Sequence, residues 1–201
     1  MDRNDLIATF REVSKQLSEE FDRCGNLIYT QEKSNRKLIR EPEARHVLTM
    51  LLSGKNVNFG LEVPTKKKYK FSGRSPDTAN IDIVIEPNKE LVNVELKEGQ
   101  RKTIQKDFEK LLREQVSGCA FYHVLQNSNR GTLPALLNKY KEAYSNIVNL
   151  NDAIPKWFIL FIFVKEKQEC FWKAFDNITK ISQEEFDQNE FSKESTSPNT
   201  A

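Results

Sequence analysis

The residues of this chain best placed to do chemistry together are Asp82, Glu95 and Lys97. Asp82 lies inside the β-branched run 81–85, and Glu95 belongs to a second apolar run, 91–96, with Lys97 directly after it. Between the runs stands Glu86-Pro87-Asn88-Lys89-Glu90, whose Pro-Asn pair reads as a hairpin turn, so the two runs are expected to be adjacent antiparallel strands. Side chains alternate along a strand. Glu95 and Lys97 therefore project to one face while Val94 and Leu96 point into the opposite, apolar layer, and Asp82 is similarly set between Ile81 and Ile83. Two carboxylates brought side by side repel each other and are costly to bury unpaired, so they normally persist around a cation. Hard oxygen ligands suit Mg²⁺, with Mn²⁺ expected to substitute. Such an ion polarises a phosphodiester and lowers the pKa of a bound water, and an ammonium beside that water orients it and stabilises the transition state. The chemistry expected of the set is metal-assisted phosphodiester hydrolysis.

The elements that must hold these residues are legible in the spacing of apolar positions. Leu6, Phe10, Val13, Leu17 and Phe21 form one stripe of an amphipathic helix over residues 5–23, which Cys24-Gly25-Asn26 would stop. Pro42 can begin a second helix, with Val47, Leu48, Leu51 and Leu52 inward and Gly54 at its end. Residues 57–63 alternate as a half-buried strand, followed by Lys66-Lys67-Lys68-Tyr69-Lys70 as a loop outside the core. After the hairpin, Ile104, Phe108, Leu111 and Leu112 lie at helical spacing, and a strand is expected over 119–125. A helix over 133–147, a strand over 157–164 buried on both faces, and a returning strand over 169–175 complete the pattern. From about Asp187 the composition turns Ser-, Asn- and Glu-rich without periodicity and reads as a disordered tail, 187–201. The fold class is α/β: a mixed central sheet flanked by helices. An N-terminal helix and connector (1–40) pack on a core domain (41–186).

Composition narrows the setting. Charged residues make up 30% of the 201 positions and no apolar run approaches the roughly 18 to 20 residues of a membrane span, so a soluble protein with no membrane partner is expected. The N-terminus lacks the apolar core of a secretion signal, and the three cysteines stand far apart without a CxxC pair, which points to a cytoplasmic chain with reduced thiols. A formal net charge of only +2 gives no bulk pull toward a polyanion. Nucleic-acid affinity must come from a local basic face. Lys66, Lys67, Lys68 and Lys70, continued by Arg74, could track a phosphate backbone with Tyr69 and Phe71 available for stacking, and Arg101 and Lys102 lie where substrate phosphates would approach. His46 and His123 have no partner at metal-ligand spacing and read as structural.

The Asp82/Glu95/Lys97 constellation resembles the PD-(D/E)xK nuclease superfamily, the restriction endonuclease-like fold shared by many type II restriction endonucleases, Holliday-junction resolvases and RecB-type nucleases. Asp82, a twelve-residue gap and then Glu95-Leu96-Lys97 is the pattern, and the predicted order of helix, strand, hairpin, helix, strand, helix and strand over residues 41–164 matches the family core. The resemblance implies a metal ligand on the first core helix, for which Glu43 in Arg40-Glu41-Pro42-Glu43-Ala44-Arg45 is the match and Glu41 the fallback. It also implies a polar residue on the helix after the lysine, where Gln105 stands at the inward edge. The metal set would be Asp82, Glu95 and Glu43, with Lys97 completing the catalytic group. One departure is visible: the only Pro-Asp pair is Pro76-Asp77, in a turn-like Ser-Gly-Arg-Ser-Pro-Asp-Thr stretch, whereas the favoured aspartate follows Ile81.

A Glu-x-Lys triplet alone is weak, since Lys165-Glu166-Lys167 shows how readily charges cluster here, and a surface hairpin with a cross-strand ion pair is the bland competitor. The sequence thus leads to a Mg²⁺-dependent DNA endonuclease with a restriction or defence role, acting as a homodimer or with a partner subunit for recognition. The alternatives are an RNA-directed nuclease and a non-catalytic nucleic-acid or protein-binding module on the same fold.

Overall fold

Each amphipathic stripe of the sequence finds a layer to bury it. The computed structural model describes residues 1–24, 40–69, 77–86, 90–99, 104–126, 132–147, 155–176 and 178–196. Helix α1 (Arg3–Cys24) buries Leu6, Phe10, Val13 and Leu17, and α2 (Glu41–Gly54) buries Val47, Leu48 and Leu52 beside it. Strands β1 (Asn58–Tyr69), β2 (Asp77–Glu86), β3 (Val92–Glu98), β4 (Gly118–Leu125), β5 (Trp157–Val164), β6 (Glu169–Phe175) and β7 (Ser192–Ser195) form one seven-stranded sheet in sequence order. Its two central ladders, β3 with β4 and β4 with β5, are parallel, and the flanking ladders are antiparallel. The parallel pairs require crossovers, supplied by α3 (Ile104–Arg113) and α4 (Thr132–Ser145). This is the expected α/β architecture with a mixed sheet between helices.

The sheet separates two apolar layers. On one side Leu6, Phe10, Val47 and Leu48 pack on Val94, Leu96 and Phe161; on the other Phe108, Leu111, Leu136 and Tyr140 pack on Phe121 and Phe158. Central strand β5 is buried from Phe158 to Val164, as its unbroken apolar run demands. Among the described residues no helix is long and apolar enough to cross a membrane.

Two expectations about chain ends and loops are corrected. The supposed loop at Lys66–Lys68 is strand: β1 runs on to Tyr69, with a register shift between Pro64 and Lys68. Polar anchors hold the irregular stretch, since the Glu114 carboxylate accepts the backbone N–H groups of Lys66 (3.0 Å) and Lys67 (3.2 Å), and Thr65 Oγ1 accepts from Ala79 N at 3.0 Å. Alternation misses such a strand because its side chains stay wet while its backbone is paired. The tail expected from Asp187 is likewise ordered as far as residue 196, because Phe191 is buried with Phe175 and Phe186 and β7 pairs with β6 through backbone bonds that composition does not reveal. Replacing Phe191 with alanine should therefore cost roughly 2–3 kcal/mol and lower the thermal midpoint by roughly 5–10 °C. A calorimetric scan would show it; an unchanged midpoint would mean that the segment contributes nothing to the core.

Candidate active site

The site forms where the β2–β3 ladder stops. Registered pairs run from Ile85↔Val92 to Ile83↔Val94 and go no further, although both strands continue. At the split the Asp82 side chain takes the place of the missing strand contact, its Oδ2 accepting the Leu96 N–H at 2.7 Å. Alternation along β2 breaks at the same residue: Ile83 belongs to the α1–α2 layer and Ile81 to the α3 layer. An aspartate between two buried isoleucines is thus fixed by a backbone donor at the point where two strands diverge.

Strand β3 delivers the other two residues to the same place. Val94 and Leu96 are fully buried in the α1–α2 layer, and Glu95 and Lys97 face the opposite way, toward α3. Lys97 Nζ lies 3.1 Å from Glu95 Oε2 and 4.0 Å from Asp82 Oδ2. The three sequence-derived residues therefore meet, with Glu95 at 0% and Lys97 at 7% exposure.

Two further residues, Asp107 and Lys110, complete the cluster from α3. Lys110 Nζ contacts Glu95 Oε1 at 2.8 Å and Asp107 Oδ1 at 3.1 Å, while Asp107 Oδ2 contacts Lys97 Nζ at 3.0 Å. Glu95, Lys97, Asp107 and Lys110 form a closed ring of alternating charge, and Lys110 also donates to the Asn80 carbonyl at 2.7 Å. The sequence carried a signal for these residues: Ile104, Asp107, Phe108 and Leu111 share one helical spacing, so Asp107 occupies an inward position, and Lys110 and Glu114 extend that edge at helical intervals.

The electrostatics follow from the burial. Desolvation first and the Asp82 carboxylate second push the Glu95 pKa up to about 8, against the pull of Lys110 and Lys97. For Lys97, burial alone would lower the pKa, but Glu95, Asp107 and Asp82 outweigh it and hold the ammonium above its usual range. The same contest, won by Glu95 and Asp107, raises Lys110. Lys97 is thus a permanent cation at neutral pH: a hydrogen-bond donor, not a general base.

The remaining predicted residues have different fates. Glu43 is buried at the third position of α2, where its Oε2 accepts the Arg40 backbone N–H at 2.9 Å as a helix cap and its buried Oε1 has no hydrogen-bond partner among the described residues. The structure does not bring it into the charge ring, and among the described residues no three His, Cys, Asp or Glu side chains converge as a metal-binding group. Glu41 pairs with Arg45 at 3.3 Å, and Arg45 in turn reaches Glu62 at 2.6 Å and Asp82 Oδ1 at 3.5 Å. Gln105, expected at the inward edge of its helix, is exposed, because Asp107 and Lys110 occupy that edge instead. Lys66 and Lys68 are exposed on β1 and Lys67 is half-buried, whereas Tyr69 is buried with its hydroxyl on Glu114 at 2.8 Å and is no stacking platform. Lys70, Phe71, Arg74, Arg101 and Lys102, and the hairpin tip at Pro87-Asn88-Lys89, lie outside the described residues.

No protein-family model and no curated protein matches this chain. Two details bear on what the site could hold. Asp82 and Glu95 are adjacent carboxylates on neighbouring strands, and Mg²⁺ commonly uses one or two carboxylates with waters and substrate oxygens completing its shell. The donor set fits such an ion, with one condition: both Glu95 oxygens are already held by ammonium groups. His123, read as structural from sequence, buttresses the strand next to Lys97. A carbonyl only accepts, so its Nε2 must carry the hydrogen directed at Gly99 O, leaving Nδ1 to accept from the Tyr140 hydroxyl at 2.9 Å in the neutral ring.

Proposed function

We propose that this chain is a metal-dependent nuclease that hydrolyses phosphodiester bonds in DNA. The observation that carries the reading is the convergence of Asp82, Glu95 and Lys97 at the split between β2 and β3, all nine-tenths or more buried. Held at Asp82 and Glu95, Mg²⁺, or Mn²⁺ in its place, would supply charge to the phosphodiester oxygens and lower the pKa of a bound water. Lys97 stays protonated, so its role is to donate hydrogen bonds to the attacking water and to oppose the negative charge that grows on the phosphorus oxygens. Asp82 is kept in place by the Leu96 N–H, and Lys97 by Asp107, so neither needs to reorganise during the reaction. Lys66 and Lys68 extend from β1, whose Pro64 is registered with Asn80, the residue whose carbonyl holds Lys110; a backbone bound along β1 would run past the site.

The resemblance of the sequence to PD-(D/E)xK nucleases favours the same reading, and a restriction or defence role, with a second copy or a partner subunit completing recognition, belongs to the proposal. The test is cleavage of supercoiled plasmid, linear duplex, single-stranded DNA and RNA by the full chain in Mg²⁺, Mn²⁺ or EDTA. Cutting of DNA that requires the ion is the expected result. Cutting of RNA alone would move the substrate class, and binding without cutting under every condition would identify a non-catalytic nucleic-acid-binding module.

A further inference from the structure

Lys110 raises a question that the proposed reaction does not answer. An ammonium has three N–H donors, and those of Lys110 meet three acceptors: Asn80 O at 2.7 Å, Glu95 Oε1 at 2.8 Å and an Asp107 oxygen at 3.1 Å. It approaches from a helix, whereas Asp82, Glu95 and Lys97 are all set on the sheet. Resting on the metal-dependent reading above, we propose that Lys110 is the resident cation of this site: it occupies the Glu95 oxygen that a divalent ion would take, and it yields that oxygen when the ion binds.

Charge and geometry agree on this. Once Glu95 is ionised, as it must be to hold an ion, the three carboxylates Asp82, Glu95 and Asp107 face two ammonium groups, Lys97 and Lys110, and this set carries one net negative charge. A divalent ion turns this to one positive charge, and a single phosphodiester brings it to zero. Without Lys110 an ionised Glu95 would lose the cation on its Oε1, an unfavourable state for a buried carboxylate. Lys110 is also the ammonium that is able to leave: released from Glu95 it keeps Asn80 O and Asp107. Among the described residues Lys97 pairs with carboxylates, Asp82 among them, and so stays beside the reacting groups. The ring opens at one edge and Lys110 remains anchored to α3 and β2.

A merely structural lysine and a resident cation make opposite predictions for ion binding. Mn²⁺ binding to the full chain, measured by calorimetric titration in the absence of nucleic acid, should be at least about tenfold tighter in Lys110→Met and Lys110→Gln than in the wild type, because a competing charge a few ångströms away has been removed. The variants should melt at a lower temperature than the wild type without metal and gain more from Mn²⁺. Lys110→Gln keeps one donor for Asn80 O and serves if Lys110→Met does not fold. Tighter binding in either variant, including binding where the wild type shows none, supports the inference. Equal or weaker binding in both, with Mn²⁺ still bound by the wild type and lost in Asp82→Asn, overturns it and leaves the nuclease reading intact. Absence of Mn²⁺ binding from every variant and the wild type removes the metal site itself.

Discussion

Lys97→Met is expected to reduce ion-dependent cleavage by roughly 10²–10³-fold while the chain still folds. Methionine keeps most of the buried stem, and of the three carboxylates that lose Lys97, Glu95 and Asp107 retain Lys110 while Asp82 retains the Leu96 N–H and Arg45. The loss is therefore concentrated in the charge that Lys97 holds between Asp82 and Glu95, where among the described residues no other ammonium lies close to both. Asp82→Asn should lose as much for a different reason. Asparagine can still accept the Leu96 N–H through its carbonyl oxygen, so the strand split survives, but the anionic ligand proposed for the ion is gone and ion affinity should fall with it. Single-turnover cleavage at saturating and limiting Mn²⁺ separates the two: excess ion should rescue Asp82→Asn in part and leave Lys97→Met unchanged. Cleavage at wild-type rates by both variants would place the chemistry elsewhere.

That Asp82, Glu95 and Lys97 could be expected to meet reflects which physical signals a sequence carries. Alternation on β3 put Glu95 and Lys97 on one face because a strand has a period of two, and the long apolar run of β5 marked the centre of the sheet because only a strand buried on both faces is apolar throughout. Asp107 and Lys110 escaped because charged residues on an amphipathic helix are ordinarily read as its wet face, and their contacts with Lys97 and Glu95 are made across the layer between α3 and β3. The helical spacing that places Asp107 with Ile104 and Leu111 was present but carries meaning only once an opposing charge is known to lie opposite. The ordered stretches at Lys66–Lys68 and Ser192–Ser195 escaped for the complementary reason: backbone pairing and a carboxylate receiving N–H groups hold them, and neither leaves a pattern in the side chains. Glu43 shows the converse, since a carboxylate at the third position of a helix satisfies a capping role and a metal-ligand motif equally well on paper.

Glu95 is the residue on which the stability of the fold and the proposed chemistry meet, and its removal should be the most damaging single change to the fold. Fully buried, it pairs with Lys97 and Lys110 through separate oxygens at 3.1 and 2.8 Å, as Asp107 does on the far side of the ring. Glu95→Ala would leave Lys97 and Lys110 to share Asp107, and where Glu95 is ionised this breaks a buried ion pair from one side, at a cost of roughly 3–5 kcal/mol. The same burial sets a pH dependence in the wild type. Its carboxyl, ordinarily near 4.5 and so in the unfolded chain, is pushed up to about 8 in the folded one, so between these values the folded state holds a proton that the unfolded state has lost. Stability from this group is complete below about 4.5 and is lost as the pH rises through about 8. Lys97 and Lys110, raised from 10.5, lose their contributions only in more alkaline solution and do not mask the slope. Metal-free urea midpoints should accordingly fall from pH 5 to pH 8.5, by an amount on the order of 1 kcal/mol or more, and Glu95→Gln should flatten the profile. Mn²⁺ should restore the midpoint at pH 8.5, where the ion meets the ionised carboxylate without displacing a proton. A midpoint independent of pH in the metal-free wild type would instead mean that Lys97 and Lys110 together keep Glu95 ionised throughout, and that the ring rather than the ion is its equilibrium partner.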